Sequence, residues 1–171
     1  MKTTNFGTML MIENVEGLIT PLSGQAFIKG LIKAVKEVKY SMDVIQYQWG
    51  FYPGKSDTPI QELNRSVLAQ AQAKKKIRVL LNKEGRGGGL TAVNMKTKEV
   101  LGQAGISVKF APSFPTTHAK LFIFDDDSVI LGSHNLSNRS VTVNREVSAL
   151  IKSRAVAMEF KRYFNILWGL S

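Results

Sequence analysis

Two spacings of apolar residues alternate along this chain, and each predicts its own element. Over residues 25–39, Phe27, Ile28, Leu31, Ile32, Val35 and Val38 recur at helical spacing, with Lys29, Lys33, Lys36 and Lys39 mostly opposite. This predicts an amphipathic helix whose lysines form a solvated face. It follows Leu18 and Ile19, which lead into Pro21 and a predicted loop. Residues 40–48 read as a strand that runs into Trp49, Gly50, Phe51, Tyr52, Pro53 and Gly54. Thr58, Pro59 and Gln61 then carry a helix start: an N-cap hydroxyl, proline at the first position and a capping-box partner. That helix is predicted to reach about Lys76. Ile60, Leu63, Val67, Leu68 and Ala71 face inward, and Lys74, Lys75 and Lys76 occupy a last turn where cations complement the helix dipole.

The alternation continues with a strand at 77–81, a glycine-rich loop from Lys83, a helix at about 91–103 and a strand at 106–111. Pro112 and Pro115 bracket the loop that follows. Residues 118–124 (H-A-K-L-F-I-F) predict a strand with His118 and Lys120 on one face, and a second apolar run at 128–131 begins after an acidic stretch suited to a turn. A turn is predicted at 136–140, a strand at 141–151, and a last helix capped by Ser153, with Val156, Phe160, Tyr163, Phe164 and Leu167 on one side. Strands alternating with helices predict an α/β fold: one mixed sheet flanked by helices on both faces, in a single domain over 1–171.

The stretch from His118 to Asn135 holds both histidines of the chain. If Asp126 and Asp127 form a two-residue turn, Lys120 lies opposite Ser133 and His118 opposite Asn135. An imidazole, an ammonium, a hydroxyl and a carboxamide then meet on one patch, where Gly132 leaves room for a ligand to approach the backbone. Lys, Ser and Asn donate to an oxyanion, and His supplies a nucleophile or a proton. That set suits a phosphate ester.

These residues also carry a family likeness. The pattern H-x-K, four residues, D, six residues, G-S-x-N is met by His118, Lys120, Asp125, Gly132, Ser133 and Asn135. It resembles the signature of the phospholipase D superfamily, and most of all its small, single-motif bacterial endonucleases. Glu146, eleven residues beyond Asn135, is similar to an acidic position of those nucleases. The resemblance implies a phospholipase D-like sandwich and an active centre made from paired motifs, the second motif coming here from another chain.

Geometry assigns the roles. Along one strand Asp125 is roughly 23 Å from His118 and of opposite parity, which makes it a structural residue at the hairpin end. Glu146 is the better carboxylate to hold an imidazole tautomer. One histidine cannot hold two protonation states at once, and His134 alternates away from Ser133 and Asn135. A twofold axis joining two copies of His118, in an isologous homodimer, solves this. The expected function is a metal-independent phosphodiesterase, a nuclease on DNA or RNA. The rival readings are a phospholipase D-type lipid hydrolase and an inactive nucleic-acid-binding module.

Composition sets the outer bounds. Among 171 residues there is no cysteine, which excludes a disulfide framework and a thiolate metal site, and two histidines in one motif leave no zinc cluster. No metal and no cofactor are expected. A net charge of +10 points to a polyanionic partner, nucleic acid or an anionic membrane surface, and of these nucleic acid is expected as the substrate. Lys83 and Arg86 suit either contacts to nucleic acid or an inert loop. Trp49 and its aromatic neighbours suit either stacking on bases or packing in the core or a dimer. The apolar patch at 9–12 is broken by Glu13 and Glu16, no stretch reaches the length of a membrane span, and no membrane-binding helix stands out. The expected location is cytoplasmic if Met1 is the native start, and periplasmic or secreted if a leader has been removed.

Overall fold

Successive residues of a strand point to opposite faces, so a central strand packed on both sides must feed two cores. Strand β2 (Ser41–Gln46) does this: Met42 and Val44 enter one core and Ile45 the other. In a computed structural model the described residues are 15–52, 57–84 and 88–171. Among them the strands form one seven-stranded mixed sheet of order β1-β7-β6-β5-β2-β3-β4. Helices α1 (Gln25–Lys36), α2 (Pro59–Gln72) and α3 (Gly89–Gln103) cover one face. Leu31, Val35, Leu63, Val67 and Leu101 are fully buried there. Helix α5 (Arg154–Gly169) covers the other face with Ala157, Phe164 and Leu167. The expected α/β class and two-sided sandwich are what the chain adopts.

Strands β2, β3 (Lys76–Leu81) and β4 (Ser107–Phe110) run parallel, linked by helical crossovers. Strand β5 (Leu121–Phe124) is antiparallel to β2 and makes a hairpin with β6 (Ser128–Gly132). Strands β7 (Val147–Lys152) and β1 (Leu18–Ser23) complete the sheet by antiparallel pairing. One edge of the sheet therefore gathers the ends of β2, β3 and β6 and the starts of β5 and β7.

Beneath α5, buried Asp43 takes a bidentate pair from Arg78 (2.7 and 2.9 Å) and a third contact from Lys161 (2.6 Å). Lys161 also reaches Asp126 (2.7 Å), so the network ties α5 to the hairpin turn. A buried carboxylate is tolerable only when paired in this way.

Several expectations need correction. Pro21 does not end the first strand. It lies inside β1, an edge strand, where its missing N–H costs no ladder bond. Helix α2 stops at Gln72, Lys74 turns left-handed (φ 62°) and Lys76 opens β3, so no lysine sits in a last helical turn. Thr58 does cap α2, but the Gln61 side chain bonds the Tyr52 carbonyl (2.5 Å) rather than closing a capping box. The predicted strand at 141–151 is in part helix α4 (Asn138–Thr142), capped by the Ser137 hydroxyl, and only 147–152 pairs in the sheet. Ser153 stands at the N-cap of α5, yet its hydroxyl bonds the Glu16 carbonyl (2.8 Å) instead of the helix.

The hairpin register also differs by one. Leu121 pairs with Leu131 and Phe124 with Ser128, which leaves Asp125, Asp126 and Asp127 in the connection. Asp125 (φ 53°) and Asp126 (φ 56°) are left-handed, and the Asp127 N–H donates to the Phe124 carbonyl (3.0 Å). The carboxylate of Asp125 accepts three backbone N–H bonds, from Lys39 (2.9 Å), Tyr40 (2.7 Å) and Ser41 (2.9 Å). It thereby fixes the hairpin tip to the entry of β2, at the far end of β5 from His118. Asp125→Ala is expected to cost about 2–3 kcal/mol in urea unfolding, from lost charge-assisted bonds. Asp125→Asn should cost less, and kcat of the folded protein should persist in both. Loss of kcat at unchanged stability would contradict this role.

Candidate active site

The site is assembled where loops leave one edge of the sheet. His118 and Lys120 lie in an extended segment just before β5 rather than within it. Continuing the β5–β6 register, Lys120 faces Gly132, not Ser133, and the Gly132 N–H reaches the Lys120 carbonyl (3.3 Å). Lys120 is only 7% exposed. Its Nζ donates to the His118 carbonyl (2.7 Å), stands 3.1 Å from each ring nitrogen of His118, and lies 5.0 Å from the centre of the Tyr47 ring. The imidazole of His118 is exposed and tilts against the same Tyr47 ring, centroids 4.5 Å apart.

Ser133 directly follows β6 and Glu146 directly precedes β7, and the Glu146 charge acts on Lys120. The Ser133 hydroxyl donates to the Glu146 carboxylate (2.5 Å) and accepts from the Val147 N–H (3.1 Å). Glu146 also accepts from Ser140 (3.0 Å) and Asn144 (3.2 Å). Within one chain, Glu146 is held by these bonds. Asn135 is half-buried, its N–H tied to the Ser140 hydroxyl (3.0 Å) while its buried Oδ1 meets no hydrogen-bond partner among the described residues.

The charges follow from these surroundings. Burial pushes the Lys120 ammonium below the usual lysine range, opposed by the negative charge of Glu146. Desolvation, and then the Lys120 charge, hold His118 below the ordinary histidine value. At Glu146 burial works against ionisation, but bonds from Ser133, Asn144 and Ser140 outweigh it and keep the carboxyl below its usual range. His134 is fully buried: its ring stacks on Phe27 (4.0 Å, 7°) and its Nδ1 meets the Ser148 hydroxyl (2.8 Å).

Other expected residues fall differently. A Cβ at Gly132 would lie 2.1 Å from the Ser148 hydroxyl and 2.4 Å from the Val147 carbonyl. The glycine serves the close approach of β7, not that of a ligand. Trp49 is fully buried and so cannot stack on bases. Its Nε1–H bonds Asn64 (2.8 Å), its N–H bonds Asn94 (3.0 Å) and its carbonyl accepts from Thr97. Lys83 is exposed just beyond β3, and Arg86 lies outside the described residues.

Sequence reasoning missed the residues that position these groups. Asn94 donates to the carbonyls of Tyr47 (2.8 Å) and Asn82 (2.9 Å), joining the loops after β2 and β3. Asn82 then accepts from the Thr117 N–H (3.1 Å), directly before His118. The only signal for Asn82 is a polar residue immediately after an apolar strand. Among the described residues, no group of three or more His, Asp or Glu side chains comes together that could hold a metal ion.

A family model described as "Cardiolipin synthase, PLD-like domain" matches residues 31–168, most of the chain. The chain belongs to the phospholipase D superfamily. Among solved structures it is similar to Nuc, a phospholipase D family member from Salmonella typhimurium, with TM-score 0.75, 19% identity, and coverage of 91% of this chain and 96% of that one. It is also similar to NucT from Helicobacter pylori (TM-score 0.70, 16% identity, 91% and 98% covered). A third similar structure is phosphatidylserine synthase from Haemophilus influenzae (TM-score 0.69, 13% identity), where the match spans 86% of this chain but 38% of that one. At these identities the likeness shows a shared phospholipase D fold. A sequence comparison with curated proteins finds no match.

With only two histidines, both ring titrations can be read by NMR. Burial disfavours the imidazolium at both rings, outweighing at His134 the opposing Glu146 charge and Gly24 backbone bond, and at His118 the Lys120 charge adds to it, so both rings should titrate below the ordinary value of about 6.5. Lys120→Met should raise the value for His118 and leave His134 unmoved. A His118 value above the ordinary one in the wild-type protein would contradict this electrostatic account.

Proposed function

We propose that this phospholipase D superfamily protein is a metal-independent nuclease whose reacting centre is shared by two copies of the chain. The observation that carries the reading is His118, exposed and biased toward its neutral form, next to the buried cation of Lys120. A neutral imidazole is a nucleophile, and a buried ammonium offers an anionic phosphate the counter-charge it lacks in a free chain. One nitrogen of His118 attacks phosphorus. The bond to the leaving oxygen breaks as His118 of the second copy gives that oxygen its proton. Water then cleaves the phosphorus–nitrogen bond and returns a proton to the second imidazole. Lys120, Ser133 and Asn135 hold the phosphate oxygens, with Ser133 turning its proton from Glu146 to the substrate.

A second copy is also favoured by an apolar surface beside the site. On the sheet face that carries α5, Ile19 and Val147 are each 68% exposed, and register places Ile19, Ile151 and Val129 in one row, with Pro21, Ala149 and Leu131 in the next. Val147 directly follows Glu146 and bonds Ser133, so a copy docked here adjoins the site. The net charge of +10 suits a nucleic acid as the polyanion. The family model's description and the phosphatidylserine synthase likeness support a lipid phosphodiester as the rival substrate.

Plasmid DNA, single-stranded oligonucleotide, RNA and phospholipid vesicles, each offered in excess EDTA to wild type and to His118→Ala, separate these readings. Nucleic acid should be cleaved in EDTA by the wild type only, with affinity falling steeply as salt rises because phosphate contacts release counterions. Cleavage that stops in EDTA and returns with magnesium refutes the mechanism, and hydrolysis of lipid alone refutes the substrate.

A further inference from the structure

Phe114 is 81% exposed, four residues before His118. Its loop, which joins β4 to β5, is anchored at both ends to the end of β3. The Ala111 N–H donates to the Leu81 carbonyl (2.8 Å), and the Thr117 N–H donates to the buried side chain of Asn82 (3.1 Å). Residues 112–116 thus project from the sheet edge on fixed feet. Three residues extend at most roughly 11 Å, so the Cα of Phe114 stays within that distance of the Cα of Thr117. The exposed cation Lys83 directly follows Asn82 in the chain. One buried asparagine therefore anchors the foot of the loop that carries Phe114 and immediately precedes an exposed cation in the chain.

The sequence left Trp49 open to base stacking or to packing; the structure packs that ring in the core and exposes Phe114 instead. A free aromatic face beside a cation is the pairing by which proteins hold unpaired nucleotides: the ring stacks on a base and the charge follows the backbone. In a duplex both faces of a base are already covered by its neighbours. We infer that Phe114, with Lys83, is the platform on which a base beside the scissile phosphate stacks, so that the preferred substrate is single-stranded nucleic acid. This rests on the nuclease reading and names the substrate class of the same site.

Single-stranded oligonucleotides carrying one abasic position, moved a nucleotide at a time, test the platform by fluorescence anisotropy on His118→Ala protein, which cannot cleave them. One abasic position should weaken binding about tenfold, the loss of one stacked base, and in the His118→Ala, Phe114→Ala double variant that position should cost nothing more. Phe114→Trp should restore the penalty and Phe114→Leu should not, while Lys83→Ala should reduce the salt slope by about one. An abasic penalty that is the same with and without the ring overturns the inference, as does a leucine that serves as well as phenylalanine. A Phe114→Ala protein with an altered association state by light scattering also overturns it, by assigning the ring to contact between copies. Failure of the wild type to cleave any oligonucleotide sinks the nuclease reading itself, whereas cleavage without coupling to Phe114 sinks only the platform.

Discussion

Lys120 is required to be a cation where burial disfavours charge, and the rest of the site is arranged around that conflict. The ammonium has its own neighbour's carbonyl at 2.7 Å and the face of Tyr47 at 5.0 Å, while the carboxylate of Glu146 acts on it electrostatically and is bonded to Ser133, Ser140 and Asn144. A phosphodiester brought to this edge adds the missing negative charge. Desolvation first, and then the same positive charge, bias His118 toward its neutral form. In the proposed mechanism, the buried ammonium would thus contribute both to phosphate binding and to keeping His118 neutral.

The fold makes this arrangement rigid at both ends of a short strand. At one end of β5 the Asp125 carboxylate collects three backbone N–H groups and fixes the hairpin to β2. At the other, Asn82 and Asn94 join the loops after β2 and β3 to the segment that presents His118. The first tether is a carboxylate accepting backbone N–H groups, and the second is a pair of buried amides, Asn94 donating to two backbone carbonyls and Asn82 accepting one N–H, a geometry that resists loop motion more than surface contacts do.

Much of this was legible in the chain itself. Apolar periodicity marked α1, α2 and the central strands, because each packs one face or two faces against a core and its side chains must repeat accordingly. The fixed offsets between His118, Lys120, Asp125, Ser133 and Asn135 pointed to the hairpin. What was not legible depended on backbone choices and distant partners. Two left-handed aspartates shifted the register by one, so Lys120 met Gly132. Apolar Val141 and Val143 disguised a short helix as strand. Trp49 stayed open between stacking and packing because the partners that decide it, Asn64, Asn94 and Thr97, lie 15 to 48 residues away. Asn82 carried no motif, since its role appears only when the Thr117 N–H is folded against it.

Whether His118 acts twice, once in each of two copies, is the claim on which the chemistry turns. Mixing wild-type chains with His118→Ala chains under conditions of subunit exchange tests it most directly. A mixed dimer owns one imidazole and lacks either the attack or the protonation, so activity should fall toward the fraction of wild-type pairs as mutant chains are added. Activity that instead stays proportional to the number of wild-type chains, or a monomer that turns over at the full rate, would contradict a shared site and direct attention back to His134.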